Sequence, residues 1–280
     1  MALRQRLLVM AVVGLIGVTL AALWTLRQPI QTGVKLLTRG TSRSVQLRFA
    51  VVGDNHGVNP VYRQIIDELK DKDLSFLLNV ADTTEFGTRE EFLAIQELEQ
   101  SLPFPVYHTL GNHDIKSDST RKIFTEVFDQ EPWRSYTFGQ VHLVILDNGD
   151  RKAGFSEASL DWLEKDLSEH KDKSILVAYH RPFDLPLSAI VGDDETSTSR
   201  ASNRRLVSIL RQYPVKQIFT GHIHTYLPYA VSGIPAVVTG GGGDPAQSIL
   251  GGPANNNFHY LVVEIADGIP RINVHHVQLR

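Results

Sequence analysis

Nine residues whose side chains can bind metals or move protons follow apolar runs of the chain. Each run has the pattern of a buried strand, and the polar residues come where it stops: Asp54, His56, Asp82, Asn112, His113, Asp114, His180, His222 and His224. Open α/β sheets place their sites at the carboxyl ends of strands, so these residues are expected to meet. Imidazole, carboxylate and amide-oxygen ligands together suit divalent first-row metals without selecting sharply among them.

The motifs differ in how much each one specifies. Asp82 beside two threonines is also typical of a helix cap or turn, and His180 alone is typical of a structural histidine. By chance, roughly one chain in a thousand would contain the tetrapeptide Gly-Asn-His-Asp, found here at 111–114. Roughly one in a hundred would contain Gly-His-x-His. Their occurrence together, all at strand ends, favours one shared site.

The series D-x-H, A-D, G-N-H-D, H and G-H-x-H resembles the calcineurin-like metallophosphoesterase family over about residues 46–278. The resemblance implies a four-layer αββα sandwich and two divalent metal ions, with Mn, Fe or Zn as candidates. It assigns the metal ligands in three sets: Asp54, His56 and His224 to one ion, Asn112, His180 and His222 to the other, and Asp82 to both. It also implies a metal-bridging hydroxide as nucleophile, His113 as general acid and Asp114 as the residue that orients His113.

Two positions depart from the family pattern. Ala81 stands where the family usually has Gly before the bridging Asp, and its side chain is still small. Glu85 stands where many members have Asp and the purple acid phosphatases have Tyr, so a purple Fe(III) centre is disfavoured. Two divalent ions, two Asp ligands and one hydroxide would leave the cleft with a net charge of about +1, which attracts phosphate locally.

From residue 45 onwards the chain alternates between strand and helix patterns. Strands are predicted at 45–54, 74–82, 104–112, 135–149 (a hairpin), 174–180 and 215–224, and helices at 60–72, 88–100, 156–170 and 203–213. Three later β-rich segments, at about 226–230, 235–239 and 259–278, have antiparallel character. Such alternation indicates βαβ units and a mainly parallel sheet. The predicted fold class is α/β (α+β), with two mixed β-sheets flanked by helices, and 184–200 is predicted to be a mobile loop.

The placement of charge excludes some partners. Residues 1–53 carry seven Lys or Arg and no acid, so 21 of the 28 basic residues remain against 31 acidic ones in the rest of the chain. No nucleic acid is expected as a partner, because its binding depends on neutralisation of phosphates by Lys and Arg. The chain has no cysteine, which excludes disulfides, thiolate zinc sites and thiol nucleophiles.

The N-terminal segment has the pattern of a membrane signal. Residues 7–24 are uncharged, follow Arg4 and Arg6, and as a helix would span about 27 Å, close to a bilayer core. We predict a signal-anchor or signal peptide over 1–26, a basic linker over 27–44 and the catalytic domain over 45–280. The expected protein is membrane-anchored through this helix with an extracytoplasmic (periplasmic or extracellular) catalytic domain, or is secreted after cleavage. Basic residues after the span oppose this orientation under the positive-inside rule, unless they lie against anionic headgroups.

Together these features predict a metal-dependent hydrolase of phosphoric esters. A small phosphate ester or a lipid-linked phosphate is the expected substrate, and the predicted anchor favours lipid-linked or periplasmic phosphate esters. Monoesters and diesters would use the same seven ligands, so a phosphomonoesterase and a cyclic-nucleotide or lipid-linked phosphodiesterase both stay open. A non-catalytic scaffold on the same fold is a further alternative, although scaffolds typically lose ligands and all seven are present here.

Overall fold

Two β-sheets form the frame of the protein in a computed structural model that describes residues 45–185, 195–244 and 258–279. The first sheet has the order β11-β10-β1-β2-β3 and consists of β1 (Val45–Val52), β2 (Leu77–Asn79), β3 (Val106–His108), β10 (His259–Ala266) and β11 (Ile269–His276). The second has the order β4-β5-β6-β7-β9-β8 and consists of β4 (Arg134–Phe138), β5 (Val141–Ile145), β6 (Ser174–Ala178), β7 (Val215–Thr220), β8 (Tyr226–Val231) and β9 (Ile234–Thr239).

Both sheets are mixed, as the sequence predicts. Strands β1, β2 and β3 run parallel to one another, whereas β10 is antiparallel to β1 and to β11. In the second sheet β5, β6, β7 and β9 are parallel, and the two edge strands β4 and β8 are antiparallel to their neighbours. The antiparallel character predicted for the later segments is therefore confirmed.

Helices cover the outer faces of both sheets. Within the described residues they are α1 (Pro60–Leu69), α2 (Arg89–Glu99), α3 (Asp118–Phe128), α4 (Glu157–Glu169) and α5 (Ser197–Leu210). Apolar residues of α1 and α2 pack with the outward residues of β1 and β2, and those of α4 and α5 pack with β6 and β7. A separate apolar layer lies between the sheets, where Phe49 stacks on Phe76 and meets Phe219 edge-on. Strands buried on both faces explain the near-continuous apolar runs in the sequence.

The structure adds one helix and shifts another. The sequence interpretation assigned no helix to 118–128, yet α3 forms there and packs Phe124 against Phe92 of α2. Its apolar positions are few and follow a polar first turn, so tertiary packing rather than periodicity supports it. Helix α5 begins at Ser197, inside the predicted loop 184–200, and Thr196 caps it. The rest of that loop, 186–194, lies outside the described residues.

The membrane-anchored, extracytoplasmic localisation expected from the sequence is corrected here. A search of the described residues finds no helix that is long and apolar enough to cross a membrane. The predicted span at 7–24 and the basic linker 27–44 lie outside the described residues. The compact unit that carries the strands and helices above comprises Arg43–Arg280.

Candidate functional site

The predicted site residues lie in the loops that leave the carboxyl ends of β1, β2, β3, β6 and β7. These loops are tied together across the two sheets: His180 Nδ1 lies 2.9 Å from the Val80 carbonyl oxygen, and the His222 amide donates to both oxygens of Asp54 at 2.9 Å. The loop after β1 bonds to the loop after β2 through the Asp54 amide and the Ala81 carbonyl, at 2.9 Å. One edge of the sandwich therefore collects residues that are far apart in sequence.

The backbone at this edge is strained. Asp54, His56, Asp82 and His222 have positive φ angles of 60°, 46°, 44° and 70°, in the left-handed region that favours glycine. Ala81, the departure from the family's usual Gly, has φ of 77°. Such conformations cost on the order of 1 kcal/mol or more each and persist where the surrounding structure enforces them, typically at functional sites.

The first group of ligand atoms comes from Asp54, His56 and His224. One ligand atom from each lies within 4.8 Å of the other two. His224 Nε2 is 3.6 Å from Asp54 Oδ1, and the rings of His56 and His224 lie 5.5 Å apart. This is the set that the family resemblance assigns to one ion.

The second group comes from Asp82, His180 and His222, whose ligand atoms also lie within 4.8 Å of one another. His180 Nε2 is 3.0 Å from Asp82 Oδ2 but outside hydrogen-bond geometry. The same Asp82 oxygen is 3.8 Å from His56 Nε2 of the first group. The Asp82 carboxylate thus lies between the two groups.

Three buried atoms at the site have no hydrogen-bond partner among the described residues: His56 Nε2, His180 Nε2 and Asn112 Oδ1. Buried polar atoms are normally paired, because an unpaired one loses its hydration without compensation. All three are good metal-ligand atoms, and Asn112 is the amide ligand that the resemblance assigns to the second ion. The residues present therefore fit divalent ions at this position.

The other ring nitrogens of the histidines are held by acceptors. His56 Nδ1 lies 2.7 Å from Glu85 Oε2, His224 Nδ1 lies 3.0 Å from Asp244 Oδ2, and His180 Nδ1 faces the Val80 carbonyl. A metal-binding histidine typically donates its second N–H to a carboxylate or carbonyl, which fixes the ring and its tautomer. The arrangement leaves Nε2 of each ring for the ion.

The sequence did not predict Asp244 as a site residue, and it predicted no contact between Glu85 and the site histidines. Asp244 follows four glycines at the end of β9, and its amide bonds to the Asp54 carbonyl at 3.2 Å. The only signal in the sequence was a carboxylate at a further strand end, which is the same pattern that located the other ligands. The pKa of Glu85 is lowered by its hydrogen bond from His56 and by the charges of His56 and His113.

Two motif glycines allow the ligand carboxylates to lie close to the backbone. A β-carbon at Gly111 would lie 2.1 Å from Asp82 Oδ1, and one at Gly221 would lie 2.6 Å from Asp54 Oδ2. Real β-carbons do not approach other atoms this closely, so any side chain would displace the carboxylates. This explains physically why glycine precedes Asn-His-Asp and His-x-His.

His113 lies beside the first group, with its ring 4.3 Å from that of His56. Its Nδ1 is 3.2 Å from the Glu85 carbonyl and 3.6 Å from Glu85 Oε1, while its amide donates to Asp82 Oδ1 at 2.8 Å. About a third of the side chain is exposed, so a substrate can reach it. Glu85 thus contacts both a predicted ligand and the predicted general acid.

Asp114 is placed differently from the expected orienting residue. Its buried carboxylate accepts hydrogen bonds from the Thr84 amide and hydroxyl at 2.9 and 2.8 Å and from the Gly111 amide at 3.0 Å. The hydrogen bonds described for the His113 ring go to Glu85 instead. Asp114 therefore ties the loop after β2 to the loop after β3, and its effect on His113 is through the backbone.

The site concentrates negative charge in a buried place. Asp54, Asp82 and Asp114 are each at most 1% exposed. Burial raises the pKa of Asp54 well above its usual value, and the neighbouring Asp82 adds to this. Burial would lower the pKa of His180, but Asp82 and Asp54 outweigh it and raise that pKa to about 9. Burial and the charge of His180 lower the pKa of His222 to about 3. Buried carboxylates need compensating positive charge, which metal ions supply.

Comparison with known proteins agrees with this geometry. The calcineurin-like phosphoesterase family matches residues 47–226 of the chain. A probable glycerophosphodiester phosphodiesterase from Arcobacter nitrofigilis is 29% identical over 57% of this chain and 59% of its own length. A 3',5'-cyclic-nucleotide phosphodiesterase from Nostoc is 28% identical over 57% of this chain and 59% of its own length. The chain thus spans about three fifths of these two relatives.

A third relative and two solved structures match over more of the chain. The 3',5'-cyclic adenosine monophosphate phosphodiesterase CpdA of Escherichia coli is 24% identical over 86% of this chain and 90% of its own length. GAP50 of Plasmodium, described as the anchor in the inner membrane complex, has a TM-score of 0.61 at 13% identity, covering 85% of this chain and 90% of its own. TT1561 of Thermus thermophilus has a TM-score of 0.55 at 10% identity, covering 84% of this chain and 100% of its own. These structures show a shared fold, and the family match, which covers more than half of the chain and all nine predicted site residues, shows that this chain belongs to the calcineurin-like phosphoesterase family.

Proposed function

We propose that this protein hydrolyses phosphodiesters at a centre of two divalent metal ions. The observation that carries the proposal is the position of Asp82, whose Oδ2 lies 3.8 Å from His56 and 3.0 Å from His180, between two groups of ligand atoms. Asp54, His56 and His224 would hold one ion, Asn112, His180 and His222 the other, and Asp82 both. Bound there, the ions would supply Lewis-acid stabilisation of the phosphoryl oxygens and a nucleophilic water.

The residues around the ions would provide the remaining chemistry. The Glu85 backbone carbonyl accepts from His113 Nδ1, so Nε2 of that ring is available to give a proton to the departing oxygen. As the P–O ester bond breaks, this proton prevents an alkoxide from forming in the cleft. Asp114 and Gly111 hold the loop that carries Asn112 and His113, which keeps a ligand and the acid in fixed relation.

The named activities of the relatives favour diesters over monoesters as substrates of this protein. The relatives described above are named as phosphodiesterases, acting on glycerophosphodiesters or cyclic nucleotides. A diester carries one negative charge at phosphorus, which suits a cleft of small net positive charge. The non-catalytic alternative is disfavoured because the buried ligand atoms His56 Nε2, His180 Nε2 and Asn112 Oδ1 are all in place.

The test is hydrolysis by the full chain reloaded with Mn(II) or Zn(II). Three esters distinguish the claims: bis(4-nitrophenyl) phosphate, 4-nitrophenyl phosphate and 3',5'-cyclic AMP. We expect the two diesters to turn over faster than the monoester, and Asp54→Ala to abolish all turnover by removing a metal ligand. No turnover of any ester by protein with two bound ions would refute the proposal.

The proton-donor role needs a separate comparison. Nitrophenolate leaves readily without protonation, whereas the alcohol released from cyclic AMP does not. His113→Ala should therefore slow cyclic AMP hydrolysis by about 10²–10⁴-fold and the nitrophenyl diester far less. His276→Ala, a change of an exposed histidine on β11, is the matched control. Equal losses on both esters would argue against proton donation by His113.

A further inference from the structure

A cavity of about 680 Å³ opens beside Asn112, one of the predicted metal ligands. Its walls are the segment 115–121, which leads into α3, and the loop 149–152 after β5. A substrate group attached to a phosphate at the metal site could therefore extend into it. The cavity is separate from the ligand groups themselves, since of the nine predicted site residues only Asn112 lines it.

The cavity is basic, although the body of the protein is acidic. Its lining includes four cations, Lys116, Arg121, Arg151 and Lys152, against the two carboxylates of Asp118 and Asp150. Both carboxylates are already engaged by the protein: Asp118 Oδ1 accepts from Arg121 Nη1 at 3.2 Å, and Asp150 Oδ1 accepts from the Lys152 and Ala153 amides at 2.8 and 3.1 Å. An excess of positive charge thus faces the cavity.

Arg121 is the most firmly held of these cations. Its Nε donates to Asp147 Oδ2 at 2.7 Å, and the Asp147 side chain is only 5% exposed. With Nε and Nη1 bonded to Asp147 and Asp118, the guanidinium plane is fixed, and Nη2 has no hydrogen bond within the described parts of the chain. A guanidinium held in this way can donate from Nη2 to a carboxylate or phosphate oxygen with little loss of side-chain entropy.

We propose that this cavity is a subsite for a second anionic group of the substrate, such as a carboxylate, sulfonate or further phosphate. Arg121 would orient that group, and Lys116 and Lys152 would add attraction. The inference rests on the proposed function, because it assumes that the phosphoryl group binds at the adjacent metal site. It specifies the substrate class as diesters that carry a charge beyond the one on the scissile phosphate.

Binding tests the subsite without catalysis. The probes are 3-carboxypropyl phosphate and its carboxamide analogue, which differ only in the second charge, titrated by calorimetry into the metal-loaded full chain. We expect the carboxylate to bind at least about fivefold more tightly at low ionic strength, with the difference lost in high salt. Lys116→Gln and Lys152→Gln should each reduce this preference by about two- to threefold. Lys122→Gln is the control, since Lys122 follows Arg121 on α3, is 79% exposed and does not line the cavity.

Lys116 and Lys152 carry the test because both side chains are exposed. Arg121→Gln would leave the buried Asp147 carboxylate unpaired and could destabilise the fold. Equal affinity for the two probes in the unmodified chain would overturn the subsite. So would a preference that survives both Lys substitutions.

Turnover distinguishes this inference from the proposed function. The substrates are the 4-nitrophenyl diesters of the same two alcohols, compared by the ratio of their kcat/KM values. A ratio that favours the carboxylate and falls in the Lys variants supports a substrate subsite, and a ratio near one overturns it. If neither diester turns over while the binding preference is present, the proposed hydrolysis fails and the anion site stands.

Discussion

Glu85 is expected to control both metal affinity and activity through two histidines. Its carboxylate accepts from His56 Nδ1 at 2.7 Å and lies 3.6 Å from His113 Nδ1. Loss of such a partner to a metal-binding histidine typically costs 10–100-fold in affinity or activity, or about 1.4–2.7 kcal/mol. The Glu85 side chain is 43% exposed, so solvent screening places the expected effect near the lower limit.

Two substitutions separate the hydrogen bond from the charge. Glu85→Gln keeps an oxygen acceptor for His56 and removes the charge, so we expect about a tenfold loss of metal affinity. Glu85→Ala removes both and should lose somewhat more than the roughly tenfold expected for Glu85→Gln. Glu90→Gln is the control, because Glu90 is exposed in the first turn of α2.

The assay is competition for Zn(II) or Mn(II) against a chelating indicator, followed by kcat/KM at saturating metal. Saturation removes the contribution of affinity, so a remaining deficit of Glu85→Gln reports on His113. Metal affinities of Glu85→Gln and Glu85→Ala within twofold of the unmodified chain would refute the reasoning. So would an equal loss in Glu90→Gln.

Four further predictions follow from single contacts. Gly111→Ala places a β-carbon 2.1 Å from Asp82 Oδ1, so calorimetry should show loss of metal binding, and retained affinity would contradict the crowding. Ala81→Gly relieves a φ of 77° and should raise stability to urea by up to about 1 kcal/mol, whereas a loss would show that backbone entropy dominates. Asp114→Asn should lower stability to urea by about 1–3 kcal/mol, and unchanged stability with slower turnover would instead favour direct orientation of His113. Burial would raise the pKa of Asp166, but hydrogen bonds from His142 and Ser135 outweigh it and lower that pKa. Stability from this group is therefore fully present above the unfolded pKa and is lost as pH falls through the lower folded pKa, so urea unfolding between about pH 2 and 5 should show a shallower pH dependence in Asp166→Asn.

The sequence predicted that the residues of the candidate site lie together, because most of them occur in short motifs. Metal ligands must be carboxylate, imidazole or amide groups, and the loops that hold them are short, so Asp54, His56, Asn112, His222 and His224 fall in recognisable patterns. The glycines beside them are required by close approach to the ligand carboxylates. The alternation of strand and helix was also predictable, because burial of strands on both faces leaves continuous apolar runs.

Residues whose role depends on a distant partner could not be predicted. Asp244 meets His224 because β9 lies next to β7 in the second sheet, and its position at a strand end does not specify which histidine it contacts. The family resemblance implied that Asp114 orients His113, but the Asp114 carboxylate accepts a hydrogen bond from Thr84. Helix α3 depends on packing of Phe124 against Phe92, and this contact cannot be predicted from the local hydrophobic pattern.

By itself, the sequence determined which chemistry is available, since side-chain type and local spacing decide what can bind a metal or carry a proton. It also determined the alternation of elements, which follows from hydrophobic patterning. Only the tertiary structure decided which carboxylate holds which histidine, which loops meet, and where a basic cavity forms in an acidic protein. Hydrogen bonds and electrostatic fields act over a few ångströms of space, and separation along the chain does not specify that distance.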